Sequence, residues 1–240
     1  MTVIVVDSST IISCAMNCLL WVFDELKKQG VKFVVPIGVK NEVIDTGLKS
    51  QRFKYEAIRV LHHFVNGTFE TYTGDLSRET SELLSYSNSS FYIKNQPLRV
   101  LQDTDVQVAV LAKKIRADAI LTDERTLRLF IEDPDSIKNF LESKFHEGVS
   151  VNESSLHKFT DYMQKIPVMR SVELVTYAVD AGIFDPTIKR CASMKGIDCR
   201  KEVISGLLYA LKFSGCAVSF EEVNDYITLA LRNKNGKTKS

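Results

Sequence analysis

The chain has 240 residues, of which 45% are hydrophobic and 25% charged, with a net charge of +1. That is enough apolar material to bury a core without disulfide staples, and so small a charge does not by itself advertise a nucleic-acid binder. No apolar run approaches the roughly 20 residues that span a bilayer, and Asp7 comes too early for a secretory leader, so a cytoplasmic protein with no membrane contact is expected.

The chain opens on a strand pattern at 2–6, TVIVV, which stops at Asp7. A helical pattern comes next, over 11–28, and ends at Gly30. A second strand is expected at 31–35, VKFVV, then helices at 38–46, after Pro36, and at 51–66. The latter carries Ala57, Ile58, Leu61, Phe64 and Val65 on one side, with His62 and His63 as surface or partly buried residues. A third strand is expected at 68–72. Residues 73–100 read as a short helix, SRETSELLSYS, and a loop, NSSFYIKNQPLR. Helices at 104–116 and 124–132 flank a fourth strand at 118–122, and a fifth strand is expected at 148–151. Runs nearly continuous in Val, Ile and Leu suit strands covered on both faces. Their alternation with helices predicts an α/β fold, a mainly parallel five-stranded sheet sandwiched by helices.

After residue 151 the strand signal stops. Helical patterns at 153–165, 170–182, 186–195, 199–213 and 220–232 predict a small all-α domain. The expected division is 1–150 and 151–240, the second part ending in a basic tail, RNKNGKTKS. Residues 151–240 carry 13 Lys and Arg against 10 Asp and Glu, and residues 1–150 carry 18 against 20. The five cysteines (Cys14, Cys18, Cys191, Cys199 and Cys216) form no CxxC pair and have no His at zinc-finger spacing. They are read as small buried side chains.

The chemistry-bearing residues are acidic. In a parallel α/β sheet, ligands bind beyond the carboxyl ends of the strands. Asp7 comes directly after the first strand and Asp123 after the fourth. Asp105 falls in the first turn of the helix at 104–116, which starts with the pattern of a capping box, Thr104 and Gln107. Glu42 lies early in the helix after the second strand. Each also has a plain structural role open to it, as a helix cap, a partner of a helix dipole or a solvated residue. Together, four carboxylates at one sheet edge raise each other's pKa unless a cation neutralises them. Oxygen-only donors of this kind suit magnesium or manganese.

The stretches VIVVDSSTII, VPIGVKNEVID and DTDVQVAVLAKKIRADAILTDERTLR resemble the PIN-domain family of metal-dependent ribonucleases, over roughly residues 2–150. The resemblance implies an acidic pocket holding one or two divalent ions, Mg2+ or Mn2+, with Asp7, Glu42, Asp105 and Asp123 as catalytic and metal-binding residues. It implies supporting roles for Ser8, Ser9 and Thr122. Some members carry the last acid one residue further on, here Glu124, and Asp103 competes with Asp105. Asp118, before its strand, is excluded. The expected activity is hydrolysis of RNA phosphodiester bonds through metal-activated water. The runner-up readings are a module that binds RNA or protein and cuts little, and the toxin of a toxin–antitoxin pair. A phosphatase of the haloacid dehalogenase type needs a second Asp two residues after the first, where this chain has Ser9. A homodimer, or a protein partner held through the C-terminal helices, is a further expectation, because their apolar faces must be covered.

Overall fold

The structure, a computed structural model, describes residues 1–163, 166–191 and 196–237. The chain begins with β1 (Thr2–Val6), α1 (Ser8–Met16), α2 (Trp21–Lys28), β2 (Val31–Pro36) and α3 (Ile37–Lys40). A π-helical turn, Asn41–Thr46, joins α3 to α4 (Gly47–Lys49), and α5 (Lys54–Val65) leads to β3 (Phe69–Tyr72). Next come α6 (Ser77–Asn88), β4 (Phe91–Ile93), β5 (Gln96–Pro97), α7 (Asp103–Lys114), β6 (Ala119–Leu121), α8 (Arg125–Glu132) and α9 (Asp135–Phe145). The last third holds β7 (Ser150–Val151), α10 (Glu153–Met163), β8 (Val168–Met169), α11 (Ser171–Asp180), α12 (Asp185–Cys191), α13 (Cys199–Phe213) and α14 (Phe220–Lys237).

The fold is α/β, with five parallel strands in the order β3-β2-β1-β6-β8 flanked by helices. Val5 stands beside Val34 on one neighbour and Ile120 on the other, and Phe33 beside Phe69. Val5, Val6, Val35, Ile120 and Leu121 are wholly buried, as strands sandwiched between helical layers must be. Phe23 of α2 packs edge-on against Phe33 and Phe69, at 4.9 Å from each ring centroid, and clamps that helix to the sheet.

The fifth strand of this sheet is not the expected 148–151. Residues Ser150–Val151 do form a strand, but β7 pairs antiparallel with β4 in a separate three-stranded sheet, β5-β4-β7. The fifth place is taken by β8, which lies parallel to β6 with Ile120 opposite Val168. The strand signal therefore does not stop at 151. Two residues after Pro167 are too short a run to show any periodicity. The expected loop NSSFYIKNQPLR is likewise a hairpin. Lys94 and Asn95 both have positive φ, at 51° and 64°, which sets the turn of β4 into β5.

Two further expectations are corrected. The helix at 11–28 is two helices, broken where Cys18 takes a left-handed φ of 56°. Cys18 is also exposed, unlike Cys14, Cys199 and Cys216, and all five thiols are free. The box that starts α7 is formed by Gln102 and Asp105, not Thr104 and Gln107: the Gln102 N–H donates to Asp105 Oδ2 at 2.8 Å.

Residue 150, where the division is expected, is the first residue of β7. One buried apolar cluster extends from Ile4 to Ala230. α11 packs against α1 and α2 as well as α13 and α14, and Trp21 meets Phe184 edge-on at 5.1 Å. The helices expected after 151 are present, although 164–165, 192–195 and the end of the basic tail, 238–240, lie outside the described residues. Among the described residues no single helix is long and apolar enough to cross a membrane.

Candidate active site

Asp7 stands where β1 stops. Its backbone N–H still donates to Leu121 O of β6 at 2.9 Å, so the sheet fixes its position. The side chain caps α1: Ser8 N–H donates to Oδ1 at 2.7 Å. Oδ2 accepts from the Ser9 hydroxyl at 2.5 Å and the Thr122 hydroxyl at 2.8 Å. Ser9 Oγ in turn accepts from Asp123 N–H at 3.0 Å, and Thr122 Oγ1 from Glu124 N–H at 3.0 Å. A carboxylate that is 1% exposed is thus held in one rotamer by three donors, each tied to a strand end or a helix start.

Three other carboxylates reach the same place from separate segments. Glu42 sits in the π-helical turn after α3, a distortion that inserts a residue into the helix and re-aims the side chains beyond it. The Gly38 N–H, at the start of that helix, donates to Gln107 Oε1 of α7 at 3.2 Å. Asp105 is the third residue of α7. Glu124 caps α8, accepting from the Thr126 and Leu127 N–H groups. Asp7, Glu42, Asp105 and Glu124 line one pocket of about 580 Å³ beyond the carboxyl ends of β1 and β6. Ser8, Ser9, Gln102, Thr104 and Thr126 complete its polar wall, and Arg99 and Lys144, both exposed, stand at it as well.

The electrostatics reflect the crowding. Burial, then the charge of Asp7, pushes the Asp105 carboxyl up to about 7, with Glu124 and Glu42 adding to the rise and the Gln102 N–H opposing it. Partial burial and the Asp7 charge also raise Glu42, against hydrogen bonds from Ser8 and Thr104.

Asp123 is not in this pocket. It is 3% exposed, and its Oδ1 accepts from Ser171 N–H at the start of α11 at 2.8 Å. Its environment includes Ser13 and Cys216, and burial raises its pKa. Successive residues of an extended segment point to opposite sides. With Thr122 and Glu124 on the pocket side, Asp123 turns inward. Asp103 also faces elsewhere, accepting from Gln107 Nε2 in a neighbouring cleft with Tyr72 and Asp75. Asp118 lies at the opposite sheet edge, where its carboxylate accepts from Val3 N–H at 2.7 Å. His63 bonds Asp24 at 3.1 Å, away from the pocket. Arg99 and Lys144 carry no sequence signal, since they reach the site from the β5–α7 connection and the end of α9.

Among the described residues, no group of three or more His, Cys, Asp or Glu side chains is arranged, as it stands, to hold a metal ion. No protein-family model, curated protein or solved structure matches this chain.

Proposed function

We propose that the chain is a metal-dependent endoribonuclease of the PIN type, cutting RNA phosphodiester bonds at the acidic pocket. The observation that carries this reading is the convergence of Asp7, Glu42, Asp105 and Glu124, from four separate segments, at the carboxyl edge of the parallel sheet, with Asp105 pushed up to about 7. Asp7, Asp105 and Glu124 each also serve a helix start at this edge, but those roles do not need the charges to share one pocket. Brought together they repel, and a cation relieves that repulsion. The donor chemistry fits a hard ion: the four side chains offer only oxygen, with no thiolate or imidazole among them. This set takes Glu124 in place of Asp123.

Asp7, Glu42, Asp105 and Glu124 are the residues that would hold Mg2+ or Mn2+. When bound, such an ion lowers the pKa of water for attack on phosphorus and stabilises the leaving oxygen. Asp7 is the most firmly oriented ligand, fixed by Ser8, Ser9 and Thr122. Arg99 and Lys144 draw phosphate oxygens toward an otherwise anionic pocket.

The test is incubation of the full chain with single-stranded and structured RNA in Mn2+, Mg2+ or EDTA, alongside Asp7→Asn. Cleavage that needs metal and disappears in Asp7→Asn is the expected result. RNA left intact in every metal, by a protein that also binds no Mn2+ in calorimetry, would overturn the reading.

A further inference from the structure

We propose that an apolar cleft beside the acidic pocket seats one unpaired base of the substrate strand, so that the strand is single-stranded at the cut, and that Glu56 favours guanine there. The inference rests on the nuclease reading for the place of the cut phosphate, but the cleft itself stands on separate residues. It has a volume of about 190 Å³ and lies between α1, the π-helical turn and α5. Ile12 and Glu42 line both this cleft and the acidic pocket, so the two are contiguous. A base and its own phosphate are held on one sugar, which suits two adjoining cavities of opposite character.

The walls have the composition of a base-stacking site. Phe53 is 36% exposed and lines the cleft, with the Arg52 guanidinium 5.0 Å from its ring centroid. Ile12 and Met16 stand open on the facing helix, at 39% and 41% exposure. A base stacks on an aromatic face whatever its identity. The Arg52 guanidinium lies over the Phe53 ring in a cation–π contact and does not line the cleft, and its charge attracts phosphate. The floor is fixed: α4 lies so close to α5 that a Cβ on Gly47 would come 2.8 Å from Ala57 Cβ. At about 190 Å³ the cleft has room for one ring system rather than for a helix or strand of a partner protein. Glu56 is half-buried in the same wall. Its carboxylate accepts hydrogen bonds only, and guanine is the base that offers a ring N–H and an amino group side by side on its Watson–Crick edge.

The test measures binding separately from cleavage. Short labelled RNAs, all-uridine or with one central guanosine, and a duplex of the same length, are titrated by fluorescence anisotropy into Asp7→Asn protein, which keeps the strands intact. The single strand is expected to bind about tenfold tighter than the duplex. Adding Phe53→Ala is expected to weaken single-strand binding about tenfold, while Phe53→Trp retains it. Adding Glu56→Gln is expected to remove the preference for the guanosine strand. Equal affinity with and without Phe53→Ala would overturn the proposal. So would a dimer that dissociates in Phe53→Ala, since the cleft would then hold a second copy of the chain. The two readings fail separately. If wild type cuts in Mn2+ and Phe53→Ala binds and cuts like it, the base cleft is wrong alone. If the affinities behave as stated but wild type never cuts, the nuclease reading is wrong and the cleft stands.

Discussion

Two neighbouring regions of one sheet edge treat buried charge in opposite ways. Where β1 and β6 end, Asp7, Glu42, Asp105 and Glu124 face each other, and the cations nearby, Arg99 and Lys144, are exposed. Where β8 ends, Arg170 is 5% exposed and fully satisfied. Its guanidinium donates to Glu173 at 2.6 Å, Glu222 at 2.8 Å, Tyr226 Oη at 3.1 Å and Ala217 O at 3.0 Å. Burial works against the charge on Glu222, yet the Ser219 N–H and Arg170 hold its carboxyl down at about 2. The second cluster is complete and ties α11 to α14. The first is left with excess negative charge, as a site awaiting a cationic partner would be. A closed charge cluster is a fastener. An open one is a candidate for chemistry.

The comparison can be broken at the fastener first. Arg170→Ala leaves Glu173 and Glu222 without their counter-charge and is expected to cost about 3 kcal/mol in urea unfolding. A variant as stable as wild type would mean the cluster does not hold the C-terminal helices.

The acidic pocket is expected to answer in the opposite direction. The folded pKa of Asp105, about 7, lies above its ordinary 3.8. Between these values the folded protein keeps a proton that the unfolded chain has released, so stability falls as pH rises through that window and stays low above it. Without divalent ions, Asp105→Asn should therefore be more stable than wild type at pH 8, by about 2 kcal/mol, with no gain near pH 4. Glu222 has the opposite sign: its contribution is full above its ordinary 4.5 and is lost as pH falls toward 2. Thermal melts of both proteins across pH separate the two regions. An Asp105→Asn variant less stable at pH 8 would show that the carboxylate serves only as a helix cap.

The smallest effect sharpens the same point. A cation entering the pocket displaces the Asp105 proton, so Mn2+ affinity should rise up to about tenfold per pH unit and level off above about 7. Calorimetric titration at several pH values checks this. A pH-independent affinity would place the ion elsewhere.

The sequence carried the central strands because Val, Ile and Leu run almost unbroken through 2–6, 31–35 and 118–122. It could not carry β8, two residues whose strand character exists only in their hydrogen bonds to β6. Asp7 was legible because a charge directly after a buried strand has few places to go. Asp123 and Glu124 are adjacent acids, and which one faces the pocket depends on the register of an extended segment fixed by Ser9 and Thr122 from another part of the chain. Arg170 comes after a strand that sequence reasoning did not see, so its role was hidden with it.

The most direct measurement compares three single substitutions in one metal-dependent RNA cleavage assay: Asp7→Asn, Glu124→Gln and Asp123→Asn, each checked for folding by circular dichroism. The account predicts that the first two lose cleavage while Asp123→Asn keeps it, because Asp7 and Glu124 line the pocket and Asp123 does not. A folded Asp123→Asn as inactive as Asp7→Asn, beside an active Glu124→Gln, would contradict it.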